Sequence, residues 1–198
     1  LMRSIPNKEI EKLSFERIWR ETEKVLETES SHIFFEVLRD TNALFVFPEI
    51  ERNYSILKEN FKKLDSYNLS SKEKWAYLNL KNDNEKKFPI SKKFIKFESY
   101  SRNFKNTFKS DISPKKLLEG LMKINAFRNQ EDALEVISFL SKTDNLNPAF
   151  SSLNLNWNTL ISELNSIKVE KSLNKKGELI KKEIYNDRLN ILENYLNE

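Results

Sequence analysis

Apolar side chains recur every three or four positions through most of this 198-residue chain. That period marks amphipathic helices, whereas half-buried strands alternate at every second position. Phe15, Ile18, Trp19, Thr22, Val25 and Leu26 form one such stripe, on a helix that Ser14 can cap by accepting a backbone N–H. A second helix is predicted from Ser31, burying Phe34, Phe35 and Leu38 and ending before Asn42; Pro48 keeps a helix from running on through Phe45 to Phe47. Ile56, Leu57, Phe61 and Leu64 predict a third. Ser71 opens a fourth with Trp75 and Leu78 inward, and Phe94, Phe97, Phe104 and Phe108 share one face of a long fifth. Ser113-Pro114 reads as an N-cap followed by proline at the first helical position, where the missing N–H costs nothing, for a sixth helix ending near Asn125. Asn129 caps a seventh carrying Ala133, Leu134, Val136, Ile137 and Leu140. Residues 144–156, rich in Asn and Ser, read as a connection. A helix from Trp157 to Leu164 follows, then a last one from Gly177 with Ile180, Ile184, Leu189, Leu192, Tyr195 and Leu196 on one side.

Composition agrees with this pattern. Hydrophobic residues make up 38% of the chain and 14 are Phe, enough for a real core, and the 2 Gly and 5 Pro are too few for a sandwich built on strands and turns. The expected fold is therefore all-α, an elongated multi-helix assembly. No apolar run reaches membrane-spanning length, and the first 13 residues lack a signal-peptide core, so a cytoplasmic protein is expected. The absence of cysteine removes disulfides and thiolate metal sites. One histidine, His32, has no partner at metal-ligand spacing and reads as a cap or surface residue. Charge is uneven. Residues 1–50 hold 7 basic and 10 acidic side chains, a net −3, while residues 51–116 hold 17 and 8, a net +9. A phosphate backbone is attracted to such a stripe, although a plain solvated lysine face has the same composition.

Three blocks carry a family resemblance: Glu16-Arg17-Ile18-Trp19-Arg20-Glu21-Thr22-Glu23, then Phe34-Phe35-Glu36-Val37-Leu38-Arg39-Asp40, then Phe47-Pro48-Glu49-Ile50. Together they resemble bacterial class II CCA-adding tRNA nucleotidyltransferases, in which the first block lies in the neck beyond the catalytic head and the others open the helical body. Later segments follow in the same order: Ile112-Ser113-Pro114-Lys115-Lys116, Ala126-Phe127-Arg128, Leu140 to Asp144, and Lys176-Gly177 with Ile180, Ile184 and Arg188. Leu146 and Asn147 replace an Arg-Gly pair of the family. A metal-phosphohydrolase motif found in many relatives is degenerate here, with Leu80 and Lys81 where His and Asp would stand.

The resemblance implies a division of 1–50 as neck remnant and start of the body, 51–146 as body, and 147–198 as tail. It implies a tRNA-binding part that holds the acceptor stem and T arm while a separate nucleotidyltransferase head adds the 3′-terminal nucleotides. A poly(A) polymerase-type RNA-binding region and a non-enzymatic helical scaffold are the alternatives. Glu16, Arg17 and Glu21 are the neck residues implied, and Arg17 and Glu21, four apart, have the spacing of a helix ion pair. The RNA-binding candidates are Lys115, Lys116, Arg128, Lys171, Lys175, Lys176, Gly177, Lys181 and Lys182, grouped at helix starts whose free N–H groups favour phosphate. No catalytic or metal-ligating residue is assigned. Asp83-Asn84-Glu85 is the nearest carboxylate cluster, and it lacks the Gly-Gly and strand context of the family's catalytic site, so it reads as a loop. Mg²⁺ and CTP or ATP are implied for the head, and the chain alone is expected to be inactive. Met2, Ile5 and Ile10 are the expected docking end for that head. The opening Leu1-Met2 reads as part of a longer frame.

Overall fold

A computed structural model describes residues 7–10, 12–79, 89–108, 112–143, 150, 153, 155–167 and 177–197. Among these the regular structure is entirely helical. Two compact units divide the chain, Leu1–Ser99 and Tyr100–Glu198.

The first unit contains α1 (Asn7–Ile10), α2 (Phe15–Leu26), α3 (Ser31–Asp40), a 3-10 turn (Leu44–Val46), α4 (Pro48–Arg52), α5 (Tyr54–Leu64), α6 (Ser71–Asn79) and the first half of α7 (Lys92–Thr107). Ser14 caps α2 as expected, its hydroxyl accepting from the Arg17 N–H at 3.3 Å. The α2 stripe is narrower than its sequence suggests: Trp19, Thr22 and Leu26 are buried, whereas Phe15, on the exposed first turn, keeps nearly half its surface in solvent. The buried Thr22 hydroxyl donates back to the Ile18 carbonyl at 2.8 Å. Trp19 meets Trp75 of α6 and Phe94 of α7 edge-on, with centroids 5.0 and 5.2 Å apart. Each such edge contact adds about 0.5–1.5 kcal/mol to the burial itself. Phe35 of α3 lies 4.9 Å from Phe61 of α5, which stacks in turn on Tyr54. Pro48 does break the helical path, but it also opens α4, occupying a first-turn position.

A polar cluster sits among these apolar contacts. Asp65, the C-cap of α5, accepts the Ser31 hydroxyl at 2.7 Å, Lys74 Nζ at 2.8 Å, the His32 N–H at 3.2 Å, and pairs with His32 Nδ1 at 2.5 Å. Lys74 Nζ also donates to the Thr28 carbonyl at 2.5 Å. Burial pushes the Asp65 carboxyl up, but Lys74, His32, Ser31 and the His32 N–H outweigh it and hold the group well below the usual carboxylate range. His32 is thus a partly buried hydrogen-bond partner of Asp65 as well as a residue of the first turn of α3.

The second unit contains the rest of α7, α8 (Pro114–Lys123), α9 (Gln130–Lys142), α10 (Trp157–Ser166) and α11 (Gly177–Asn197). Side-chain oxygens of Ser113, Asn129 and Asn156 cap α8, α9 and α10. Phe104, Phe108 and Phe150 form a mutual aromatic cluster with centroids 4.9–5.5 Å apart, and Phe150 stacks on Trp157 at 5.0 Å. The three phenylalanines of α7, Phe94, Phe97 and Phe104, and Phe108 just beyond its end are all core residues. Helix α11 packs on α8, and α10 on α9. The connection expected over 144–156 lies mostly outside the described residues.

Gly120 faces the aromatic cluster, and a Cβ there would come within 2.9 Å of Phe108 Cζ and 3.3 Å of Phe104 Cε2. Phe108 is fully buried and held by Phe104 and Phe150, so it has little room to yield. Gly120→Ala should therefore destabilise by about 1 kcal/mol net, overpacking exceeding the helix-propensity gain. A lower urea midpoint with circular dichroism still helical is the expected result. Asp65→Ala, leaving Lys74 buried without its partner, should destabilise by about 3 kcal/mol at pH 7. Because the folded pKa of Asp65 lies below the unfolded value of about 3.9, its contribution is complete above that value and fades as pH falls toward the folded one. The stability gap between wild type and Asp65→Ala should shrink as pH drops below about 4. A gap unchanged from pH 7 to pH 2 would contradict this assignment.

Candidate nucleic-acid interface

The outer face of α2 is charged because its inner face is narrow. Glu16, Arg17, Arg20, Glu21 and Lys24 are all exposed. Glu21 takes its ion pair from Lys24, at 3.1 Å, and not from Arg17 four residues before it. Arg17 and Glu21 instead stand at an apolar groove of about 470 Å³, together with Ile18 of the same helix. Phe34 and Leu38 of α3, Val46 and Phe47 beyond it, and Ile10 and Leu13 before α2 are among its other walls. Arg39, at the C-terminal end of α3, places its guanidinium 4.4 Å from the centre of the Tyr54 ring. Of the expected head-docking residues, Ile10 lines this groove, and Met2 and Ile5 lie outside the described residues.

The chain reverses after α3 through a left-handed residue. Asn42 has φ 55°, the Asn42 N–H bonds to the Arg39 carbonyl at 2.9 Å and the Ala43 N–H to the Leu38 carbonyl at 2.7 Å. This double-bonded helix end turns the chain so that Ala43, Val46 and Phe47 return beside Leu38.

In the second unit, Lys115 and Lys116 occupy the first turn of α8, Lys115 exposed and Lys116 partly buried with its N–H donating to the Ser113 hydroxyl at 3.3 Å. The other end of α8 repeats the Asn42 geometry at Asn125, φ 60°, and presents Arg128 to solvent. Lys181 and Lys182 are exposed near the start of α11, and Gly177 is its first residue with open space at its Cα. Lys171, Lys175 and Lys176 lie outside the described residues, as do Leu80, Lys81 and Asp83 to Glu85. Part of the positive excess over 51–116 is engaged within the protein: Lys74 by Asp65, Lys93 by Glu23 at 3.5 Å, Lys72 over the Phe97 ring.

Two landmarks far apart in sequence meet here. Arg188 lies 3.6 Å from the centre of the Phe127 ring while its Nε donates to the Leu164 carbonyl at 3.1 Å. Burial lowers the Arg188 pKa from its ordinary value. This arginine ties α11 to the end of α10 and to the turn after α8, an arrangement that the spacing of a single arginine in a charged helix does not disclose. Among the described residues no group of three His, Cys, Asp or Glu side chains is placed to hold a metal ion, and no helix is long and apolar enough to cross a membrane.

Residues 3–54, which include the described groove-lining segment, match a family model described as "Probable RNA and SrmB- binding site of polymerase A". The multifunctional CCA protein of Haemophilus ducreyi is 62% identical over 45 residues, covering 22% of this chain and 11% of that protein. The CCA-adding enzyme of Buchnera aphidicola subsp. Baizongia pistaciae is 45% identical over 51 residues, 25% of this chain and 12% of that protein. The matches thus span about a tenth of the length of these relatives. No solved structure matches the chain. The N-terminal stretch, with α2, α3 and the groove they line, is therefore the part of the chain that is similar to that family model and to segments of these two proteins.

Proposed function

We propose that this chain is the tRNA-holding part of a CCA-adding tRNA nucleotidyltransferase, gripping the acceptor stem and T arm while a head outside this sequence adds the 3′-terminal nucleotides. The observation that carries the reading is the agreement between the matched stretch and an exposed, charged, grooved face built on Arg17, Ile18, Glu21 and Phe34. The relatives' names favour CCA addition over poly(A) synthesis. Recognition would rest on shape. Lys115, Lys116, Arg128, Lys181 and Lys182 offer charge at helix ends without base preference, which suits an A-form stem read through phosphates and 2′ hydroxyls. Mg²⁺ and CTP or ATP belong to the head in this reading. The described residues provide no three-ligand cluster for the metal, so no step of nucleotidyl transfer is assigned to them.

Two outcomes follow. Replacing Lys115, Lys116, Arg128, Lys181 and Lys182 with Ala should weaken binding to a tRNA minihelix and flatten the slope of log K against log salt by roughly one unit per lost phosphate contact. Fluorescence anisotropy across a salt series measures this, with circular dichroism confirming helical folding; an unchanged slope would show that these cations are only a solvated face. The purified chain should incorporate no labelled CTP or ATP into tRNA lacking its 3′ end. Incorporation would mean that it carries a catalytic site of its own.

A further inference from the structure

We infer that Asp65 and Lys74, both beyond the matched stretch of residues 3–54, are positioning residues that hold the two helical walls of the RNA-binding groove in register. The inference rests on the RNA-binding reading for its functional consequence and on the geometry of the corner between α2 and α3 for its mechanism. That corner is held at three successive points. Lys74 Nζ grips the Thr28 carbonyl just after α2, and Asp65 takes the hydroxyl of Ser31 and the N–H and Nδ1 of His32 at the start of α3. Lys74 and Asp65 are in turn joined at 2.8 Å, with side chains 5% and 13% exposed. Helices α2, α3, α5 and α6 contact one another in a closed cycle, α2 with α3, α3 with α5, α5 with α6 and α6 with α2. The cluster draws on all four.

Apart from the more exposed, longer Glu23–Lys93 pair at 3.5 Å, the described support for α2 is largely apolar and tolerates sliding, since dispersion and water exclusion have little directionality. Hydrogen bonds to a desolvated carboxylate do not tolerate it. A buried ion pair is also a poor source of stability compared with apolar residues of similar volume. Burying Asp65 and Lys74 at the corner is thus better matched to fixing an angle than to adding stability. That angle sets the separation between Arg17, Ile18 and Glu21 on one wall and Phe34 and Leu38 on the other.

Asp65→Leu combined with Lys74→Met separates the two roles in the full chain. The single Asp65→Leu change should destabilise, whereas the double variant, with no charge left buried alone, should regain most of the loss. Measured where the double variant is fully folded, its affinity for a tRNA minihelix should remain about fivefold weaker than wild type, a coupling of the size expected from residues that touch no ligand. Wild-type affinity in the folded double variant would overturn the inference. A second readout does not depend on RNA. The chain has no cysteine, so spin labels at Arg20→Cys on α2 and Asp40→Cys on α3 report the corner directly. One narrow distance distribution is expected in the wild-type background and a broad or shifted one with the double variant; identical distributions would overturn the inference. If the wild type binds no minihelix, the RNA-binding reading fails while the distance measurement still decides the mechanism.

Discussion

Trp19 is the contact on which the matched segment depends. Helix α2 is so heavily charged that only Trp19, Thr22 and Leu26 are buried along its length, and one of these is a threonine that satisfies itself against the backbone. A tryptophan buries about 150–250 Å², which at about 25 cal/mol per Å² is an upper estimate of roughly 4–6 kcal/mol. Its edge contacts with Trp75 and Phe94 place that area against two different helices at once. The opposite face of α2 is thereby left to solvent, with Arg17 and Arg20 exposed and the groove open beside them. A charged, accessible face and a single large aromatic anchor are two aspects of one arrangement.

Asparagine does the conformational work that glycine does in most helical proteins. With 2 glycines in the whole chain, the left-handed positions after α3 and α8 fall to Asn42 and Asn125, whose short amide side chains tolerate positive φ better than other L residues. Each closes its helix with the same pair of backbone bonds. One turn brings Val46 and Phe47 to the groove, and the other brings Phe127 beneath Arg188 and leaves Arg128 outward. Gly120 has the opposite role. It is a helical glycine kept for space, where Phe104 and Phe108 press against the backbone.

Helices and their caps were legible in the sequence because both are local. The three-and-four spacing of apolar residues and the positions of Ser14, Ser113 and Asn129 lie within a turn or two of the structure they determine. The Asp65 cluster was not legible, since its partners stand 9 to 34 positions away and each is an ordinary polar residue in its own segment. His32 illustrates the limit. Alone it reads as a cap or surface residue, and its contact with Asp65 appears only when the end of α5 delivers a carboxylate to it. Charge counting has the same weakness: a lysine such as Lys74 adds to the positive excess in sequence but is buried and paired in the fold. The site residues were legible as motifs rather than as geometry. Spacing suggested an Arg17–Glu21 pair, whereas competition from Lys24, three residues beyond Glu21, leaves Arg17 at the groove.

Footprinting of a tRNA by hydroxyl radicals in the presence of the purified chain tests the central claim most directly. Protection should fall on the backbone of the acceptor stem and T arm, remain when the base pairs of those stems are exchanged, and weaken as salt rises. Protection confined to the anticodon arm, or none at low salt with the chain folded, would contradict the account.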